Sequence, residues 1–470
     1  MSYWKPIRGV REPISIREFK GVNKLDAFSI SDGQFTSTKN MTASKYPTVT
    51  TRPGTLKVGA DLTAAILGLG VWKDEELHVI DDNGLWVKLL SNGNWGTTLE
   101  SGLSAGDMWS FCNFKGNLSE INLIGANGSD PIKRYDGTNV SDLSNAPTGG
   151  NFIEQHDNRL YCAVNNTVHF SALSKADDWS TVDDSGQIVA ETQDGEEING
   201  LKAGPGHLIV FKPHAIFELY GTGPINYDLT PVSEKIGCVS NASAVMVGGV
   251  LYFLSHRGIE RYSGGLSPDN GFCLPIQWYL NNINATNRHK SCAGTDGKNL
   301  YMAIPLLTAT EPSHVLEYDT TFNVWYVWEM GNYPRIFTNF KEDFYYGDSA
   351  GQVHKFGGTL DGESAVSWYA ISKPFGAGSL AQRRQWYSMW LIVDLPVGST
   401  LNAYLSADAE GDGSWTLVKS LTAQSSIQDT RIIIPVNTVA NANWIRYKLS
   451  GTGPCTVHEV IRQERILPWR

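Results

Sequence analysis

The sequence predicts an all-β chain: a β-propeller of about six or seven blades, preceded by an extended N-terminal arm and followed by a C-terminal β-sandwich. Three observations predict this. A two-strand unit recurs between about residue 66 and residue 358, with first anchors at positions 77, 121, 160, 208, 251, 300 and 344. Successive anchors lie 39 to 49 residues apart, the period of blades that each hold one small antiparallel sheet. Asn-Gly and Asp-Gly pairs (Asn83-Gly84, Asn92-Gly93, Asn127-Gly128, Asp136-Gly137, Asp296-Gly297) punctuate the repeat, as two-residue hairpin turns require. The pattern changes on both sides of the repeat, near residue 62 and near residue 363.

Residues 1–62 are polar, carry Pro6, Pro13, Pro47 and Pro53, and lack the repeat. They read as an extended arm that contacts neighbouring molecules. It ends in Thr55-Leu56-Lys57-Val58, a segment suited to closing the last blade so that no sheet edge stays free.

Residues 63–362 are the propeller. In four units the two apolar anchors lie eight residues apart: Leu77 to Leu85, Leu160 to Val168, Leu208 to Ile216 and Leu251 to Ile259. Phe344 to Val353 takes nine, and Leu300 to Val315 carries an insertion through Pro305 and Pro312. The unit from Ile121 to Lys133 is the most degenerate, so the blade count is left at six or seven.

From residue 363 to 470 the strands become longer. Trp386–Val393, Thr400–Leu405, Trp415–Val418, Arg431–Ile434, Trp444–Leu449 and Thr456–Arg462 alternate with polar turns, a pattern of β-sandwich size. The one helical candidate is short, Pro275 to Ile283, with Pro275 in its first turn, where its missing N–H costs nothing.

Composition narrows the function classes. The chain has 470 residues, 41% of them hydrophobic and 18% charged, with a net charge of -10. No apolar run approaches the ~20 residues that cross a bilayer as a helix, and Met-Ser-Tyr-Trp-Lys-Pro holds no apolar leader core. A cytoplasmic folding compartment is therefore expected, with Cys112, Cys162, Cys238, Cys273, Cys292 and Cys455 as small buried apolar residues. The negative charge argues against gripping nucleic acid through its phosphates. It is compatible with a path along which DNA slides without sticking.

No metal or cofactor site is expected. The ten histidines form no His-x-His or His-Glu-x-x-His arrangement. His78, His169 and His354 alternate with apolar residues and read as solvent-facing strand positions. The segment Ser406 to Trp415 loosely resembles an Asp-box hairpin or half a calcium loop, but Lys419 stands where a calcium loop needs its last acid. It reads as a structural turn. No phosphate-cradling glycine motif opens a helix, and Arg383-Arg384 reads as a solvated turn.

No catalytic residue is expected either. Asp157, Glu218, Glu260, Glu317 and Asp348 are the carboxylates that a propeller glycosidase would draw its pair from. However, Glu218, Glu260 and Glu317 occupy nearly the same place in three repeats. A residue type recurring at one repeat position serves the blade, and a site must be argued from its own geometry.

The arm carries Phe19-Lys20-Gly21-Val22-Asn23, then Asn40-Met41, then Arg52-Pro53-Gly54. This order resembles the opening of tail hub or nozzle (packaged-DNA stabilisation-type) proteins of double-stranded DNA bacteriophages, where such a pattern precedes a propeller. Val210-Phe211-Lys212-Pro213-His214-Ala215-Ile216-Phe217-Glu218-Leu219-Tyr220 is similar to one of their blade strands, with Phe217 interposed between the Ile and the Glu. Leu251 to Gly258, and Val315-Leu316-Glu317-Tyr318-Asp319 followed by Trp325, resemble two others. The sandwich and its hairpin follow in the same order.

The resemblance implies a non-enzymatic structural protein of the virion neck or tail, assembled in the host cytoplasm. It implies a ring of copies, sixfold by analogy, that meets adjacent neck, tail or adaptor proteins and retains genomic DNA or conducts it during ejection. Two readings from other classes stand beside it. A receptor- or glycan-binding module of a baseplate or fibre predicts exposed Trp or Tyr clusters in blade loops. A propeller glycosidase predicts two acids converging at the central channel.

Overall fold

The computed structural model describes residues 13–467, except 194, 205, 266, 377–383, 408–413 and 440–441. Seven antiparallel sheets stand in a ring. Their inner strands are Ile66–Trp72, Ser110–Phe114, Phe152–His156, Gly200–Ala203, Ala244–Val247, Cys292–Thr295 and Pro334–Phe340. Neighbouring inner strands touch in turn, except that Gly200–Ala203 meets the turn Asn241–Ser243 just before Ala244–Val247, and Pro334–Phe340 meets Ile66–Trp72 to close the circle. The chain is a seven-bladed β-propeller with a β-sandwich packed on one side.

Blades 2, 3, 4 and 6 have four strands of their own. In blades 1 and 5 three strands are regular, and the fourth shrinks to isolated bridges, Trp86 with Glu100 and Leu89 with Trp95 in blade 1 and Arg261 with Asp269 in blade 5. The repeat was weakest at blade 2, and the structure shows why. Ile121 is exposed, and its buried neighbours Leu123 and Ile124 anchor the sheet instead.

The anchors face the gaps between blades. The buried apolar side chains divide into seven clusters, one per blade–blade interface. Tyr161 and Phe170 of blade 3, for example, meet Leu208 and Phe217 of blade 4. Each sheet is thus buried on both faces, as in any stack of layers around one axis. The cluster between blades 5 and 6 also continues into the sandwich without a break.

The N-terminal residues form five strands: β1 (Pro13–Ile16), β2 (Phe35–Lys39), β3 (Met41–Thr42), β4 (Val49–Thr51) and β5 (Thr55–Val58). β5 is the outer strand of blade 7, with Val58 opposite Val353 and Thr55 opposite Phe356. The other four are not a separate arm. β1 and β4 pair with Thr456–Ile466, β3 pairs with β4, and β2 pairs with Ser367–Ser372. The sandwich therefore consists of two mixed-origin sheets. One runs β3, β4, Thr456–Ile466, Arg384–Leu395, Ile427–Ile434, and the other β2, Ser367–Ser372, Arg446–Thr452, Thr400–Ser406, Thr416–Thr422. Expected domain limits at 62 and 363 cut through both sheets, because the pairing joins segments hundreds of residues apart.

The expected helix is present in reduced form. A 3₁₀ segment, Gly271–Ile276, contains Pro275 and leads into one α turn, Gln277–Asn281.

Candidate functional site

The three motif segments of the N-terminal region converge on the outer strand of blade 6, Val324–Glu329. Gly21 lies in the left-handed region (φ 69°), which lets Val22 N–H reach the Trp325 carbonyl at 2.7 Å. A Cβ on Gly21 would sit 2.3 Å from that oxygen. Phe19 and Val22 are buried beside it, with Phe19 stacked on Phe35. Asn40 serves four partners, Arg52 among them. Its N–H donates to the Val327 carbonyl, its Nδ2 to the Ser367 carbonyl, and its Oδ1 accepts from the Glu329 N–H. Arg52, with a fully buried side chain, forks onto Asp361 at 3.0 and 2.6 Å and donates through Nε to Asn40 Oδ1 at 3.0 Å. Bidentate pairing of this kind is the strongest use of a guanidinium. One connected network therefore ties the arm, blades 6 and 7, and the first sandwich strand.

The candidate carboxylates are dispersed. Asp157 lies with Asn158 in a left-handed turn between two strands of blade 3. Glu218 accepts from the Tyr220 and Tyr262 hydroxyls, both at 2.8 Å. Glu260 accepts from Ser255 at 2.9 Å and from Arg257 through two nitrogens at 3.1 Å. Glu317 accepts from Thr42 at 2.7 Å, and burial pushes its pKa up to about 8. Asp348 accepts from the N–H groups of Ala350 and Gln352 and lies 3.0 Å from His354 Nε2. The five residues belong to five different blades and do not come together.

Two of the three histidines expected at solvent are buried. His78 and His354 have almost no exposure, and His169 is half-buried. The alternation was misread because a propeller sheet has no wet face, so a polar residue between apolar ones points into the next blade. Trp86 Nε1 donates to His78 Nδ1 at 3.1 Å, which puts the ring proton on Nε2. Burial lowers the His78 pKa to about 4.

One cluster gave no signal in sequence. Asp394, Asp429 and His458, from three strands of one sandwich sheet, bring their ligand atoms within 4.8 Å of one another. His458 Nε2 stands 2.8 Å from Asp394 Oδ2. The residues share no spacing motif because neighbouring strands, not chain proximity, unite them. The Asp-box-like segment joins paired strands Thr400–Ser406 and Thr416–Thr422, and its positions 408–413 lie outside the described residues. Arg383 does too. Arg384 is no solvated turn, since it pairs with Glu464 and donates to the Gly376 carbonyl. All six cysteines are buried and free.

The central channel encloses a cavity of about 650 Å³, walled by residues from all seven blades. Leu69, Phe111, Phe152, Val245 and Phe337 make its apolar wall, and Lys202, Lys290 and Arg335 its cationic part. Among the described residues of that wall the one carboxylate is Asp107, so no pair of acids faces the channel. Exposed aromatics are scattered as well. Tyr220, Trp278, Phe322 and Tyr333 are the most exposed of the described set and sit on four separate segments.

No family model matches the sequence, and no curated protein matches it. Among solved structures, the chain is similar to BamB from Moraxella catarrhalis, at 10% identity over 74% of this chain and 98% of that one, with a TM-score of 0.43. It is also similar to a catalytically inactive virginiamycin B lyase from Staphylococcus aureus, solved with quinupristin (13% identity, 64% and 98% coverage, TM-score 0.45). YCF48 bound to D1 peptide gives 10% identity, 65% and 97% coverage and a TM-score of 0.43. The propeller assignment itself stands on the sheet order described above.

Proposed function

We propose that this protein is a structural component of a bacteriophage neck or tail, one subunit of a ring that retains packaged DNA and conducts it during ejection. The observation that carries the reading is the convergence of the three motif segments. Phe19-Lys20-Gly21-Val22-Asn23, Asn40-Met41 and Arg52-Pro53-Gly54 are the residues by which the chain resembles phage tail hub proteins, and they meet in one buried junction. Motifs that converge in space are a stronger resemblance than the same matches scattered over the surface.

The reading also fixes where DNA would run. The propeller channel is filled by side chains from every blade and leaves about 650 Å³, the space of roughly twenty water molecules. A duplex roughly 20 Å wide does not fit such a channel. The conduit in this reading is the lumen between subunits, with cyclic symmetry closing the ring. The net charge of -10 suits a surface along which DNA moves without adhering.

Electron microscopy of the purified full chain and of its parent particle tests the proposal. The expected image is a ring, sixfold by resemblance, with a lumen of roughly 20 Å or more, lined by more acid than base. A stable monomer at micromolar concentration that is also absent from virions would overturn it.

A further inference from the structure

The channel cavity is of a size that encloses a small molecule, within the roughly 300–1,000 Å³ typical of ligand clefts. Its charge runs against that of the whole chain. In a protein of net charge -10, the described wall presents Lys202, Lys290 and Arg335 against the lone carboxylate Asp107. Asp107 already accepts from the Ser129 hydroxyl at 2.6 Å.

The cations are only partly balanced from behind. Lys290 Nζ lies 2.6 Å from Glu311, and Arg335 forks onto the same carboxylate at 2.8 Å through two nitrogens. These side chains are 23%, 20% and 18% exposed for Lys290, Arg335 and Glu311. One carboxylate thus serves two cations at the cavity wall, which leaves this cluster one positive charge in excess among the described residues. An anion in the cavity would complete it. From the inner strand of blade 4, across the ring, comes Lys202, which makes no salt bridge among the described residues, although the Glu154 carboxyl of blade 3 feels its charge. Asn199 lines the same cavity, and its buried Oδ1 has no hydrogen-bond partner.

We propose that the propeller channel binds a small organic anion. Its apolar body lies against Phe111, Phe152, Val245 and Phe337. Its single carboxylate, sulfonate or phosphate head completes the Lys290–Glu311–Arg335 cluster, in the positive field of Lys202. This site is independent of the ring assembly proposed above, and neither test decides the other.

Two fluorescent probes of the same body test it on the full chain. The anionic probe is 1-anilinonaphthalene-8-sulfonate, and its neutral counterpart is N-phenyl-1-naphthylamine. Titration followed by fluorescence and calorimetry is expected to give one saturable site per chain for the anion, and weaker binding of the neutral probe. Lys202→Met and Arg335→Gln, from facing walls, are each expected to weaken the anion roughly tenfold and to leave the neutral probe unchanged. Should Arg335→Gln lower the melting temperature so far that the chain is unfolded, Lys202→Met decides alone, since Lys202 makes no salt bridge among the described residues. No saturable anion binding, or a loss shared equally by both probes, overturns the proposal.

Discussion

The Thr42 hydroxyl donates a 2.7 Å hydrogen bond to the Glu317 carboxyl, joining the N-terminal region to the third strand of blade 6 where neither side chain reaches solvent. Burial holds Glu317 protonated well above the ordinary carboxylate range, up to about 8. Between about 4.5 and about 8 the folded state keeps a proton that the unfolded state releases, so stability falls as pH rises through that window. The slope from this group is up to about 1.4 kcal/mol per pH unit. Glu317→Gln keeps an acceptor for Thr42 and removes the titration. Urea unfolding near both ends of the window is expected to show a smaller pH dependence in the variant, and identical slopes would refute the assignment.

His78 gives the opposite limb. Its pKa is lowered to about 4 by burial, so between about 4 and 6.5 the unfolded chain binds a proton that the folded one does not. Stability is present above that window and is lost as pH falls through it. His78→Gln still accepts from Trp86 Nε1, and the expected outcome is a flatter acid limb in denaturation midpoints. An acid limb of unchanged steepness would assign the loss to other groups.

Gly21 is strained against substitution twice over, by a φ of 69° and by the Trp325 carbonyl 2.3 Å from an added Cβ. Gly93 offers a comparison, with a φ of 82° and nothing within 4 Å. Gly93→Ala is expected to cost about 1 kcal/mol, the backbone penalty alone. Gly21→Ala is expected to cost more and to expose the N-terminal segment to limited proteolysis. Equal losses in thermal melting would mean that the contact with blade 6 carries nothing.

Arg52→Met removes one partner of a fork whose guanidinium is fully buried. The expected loss is roughly 3 kcal/mol, the lower part of the range for a broken buried pair, because Asp361 keeps partial access to water. Arg52→Lys restores the charge without the planar fork and is expected to fall between the two. Pairing each variant with Asp361→Asn in a double-mutant cycle isolates the coupling. Strictly additive losses would show that the fork contributes nothing beyond its parts.

Much of the fold was legible because it is local. Strand, turn and strand recur within each blade, so Leu208, Ile216 and their equivalents announced the period, and Thr55–Val58 announced itself as a closing strand. The sandwich strands Arg384–Leu395 and Thr456–Ile466 were legible for the same reason. What stayed hidden is non-local. Nothing near Pro13–Ile16 states that Val460 to Gln463 will lie opposite. The alternation around His78 has the period of a half-exposed strand, and only the second neighbouring blade makes it buried. The channel cations escaped notice because Lys202, Lys290 and Arg335 come from three blades, and Glu311, which couples two of them, comes from an insertion in blade 6.

The pairing of β1 and β4 with Thr456–Ile466, and of β5 with Val353–Phe356, sets a timetable for biosynthesis. β1 and β4 wait for a strand made about 400 residues later. At roughly 5–20 residues per second, β1 spends about 20 to 90 s on the ribosome without its partner. All strands of blades 1 to 6 are made in that interval, and β5 has its partner in blade 7 once residue 356 emerges. A chain cut short before Thr456 leaves β1 and one side of β4 as bare edges, the kind of surface that pairs with another chain. Only chains that run through Ile466 cover β1 and β4, so the fold inspects its translation.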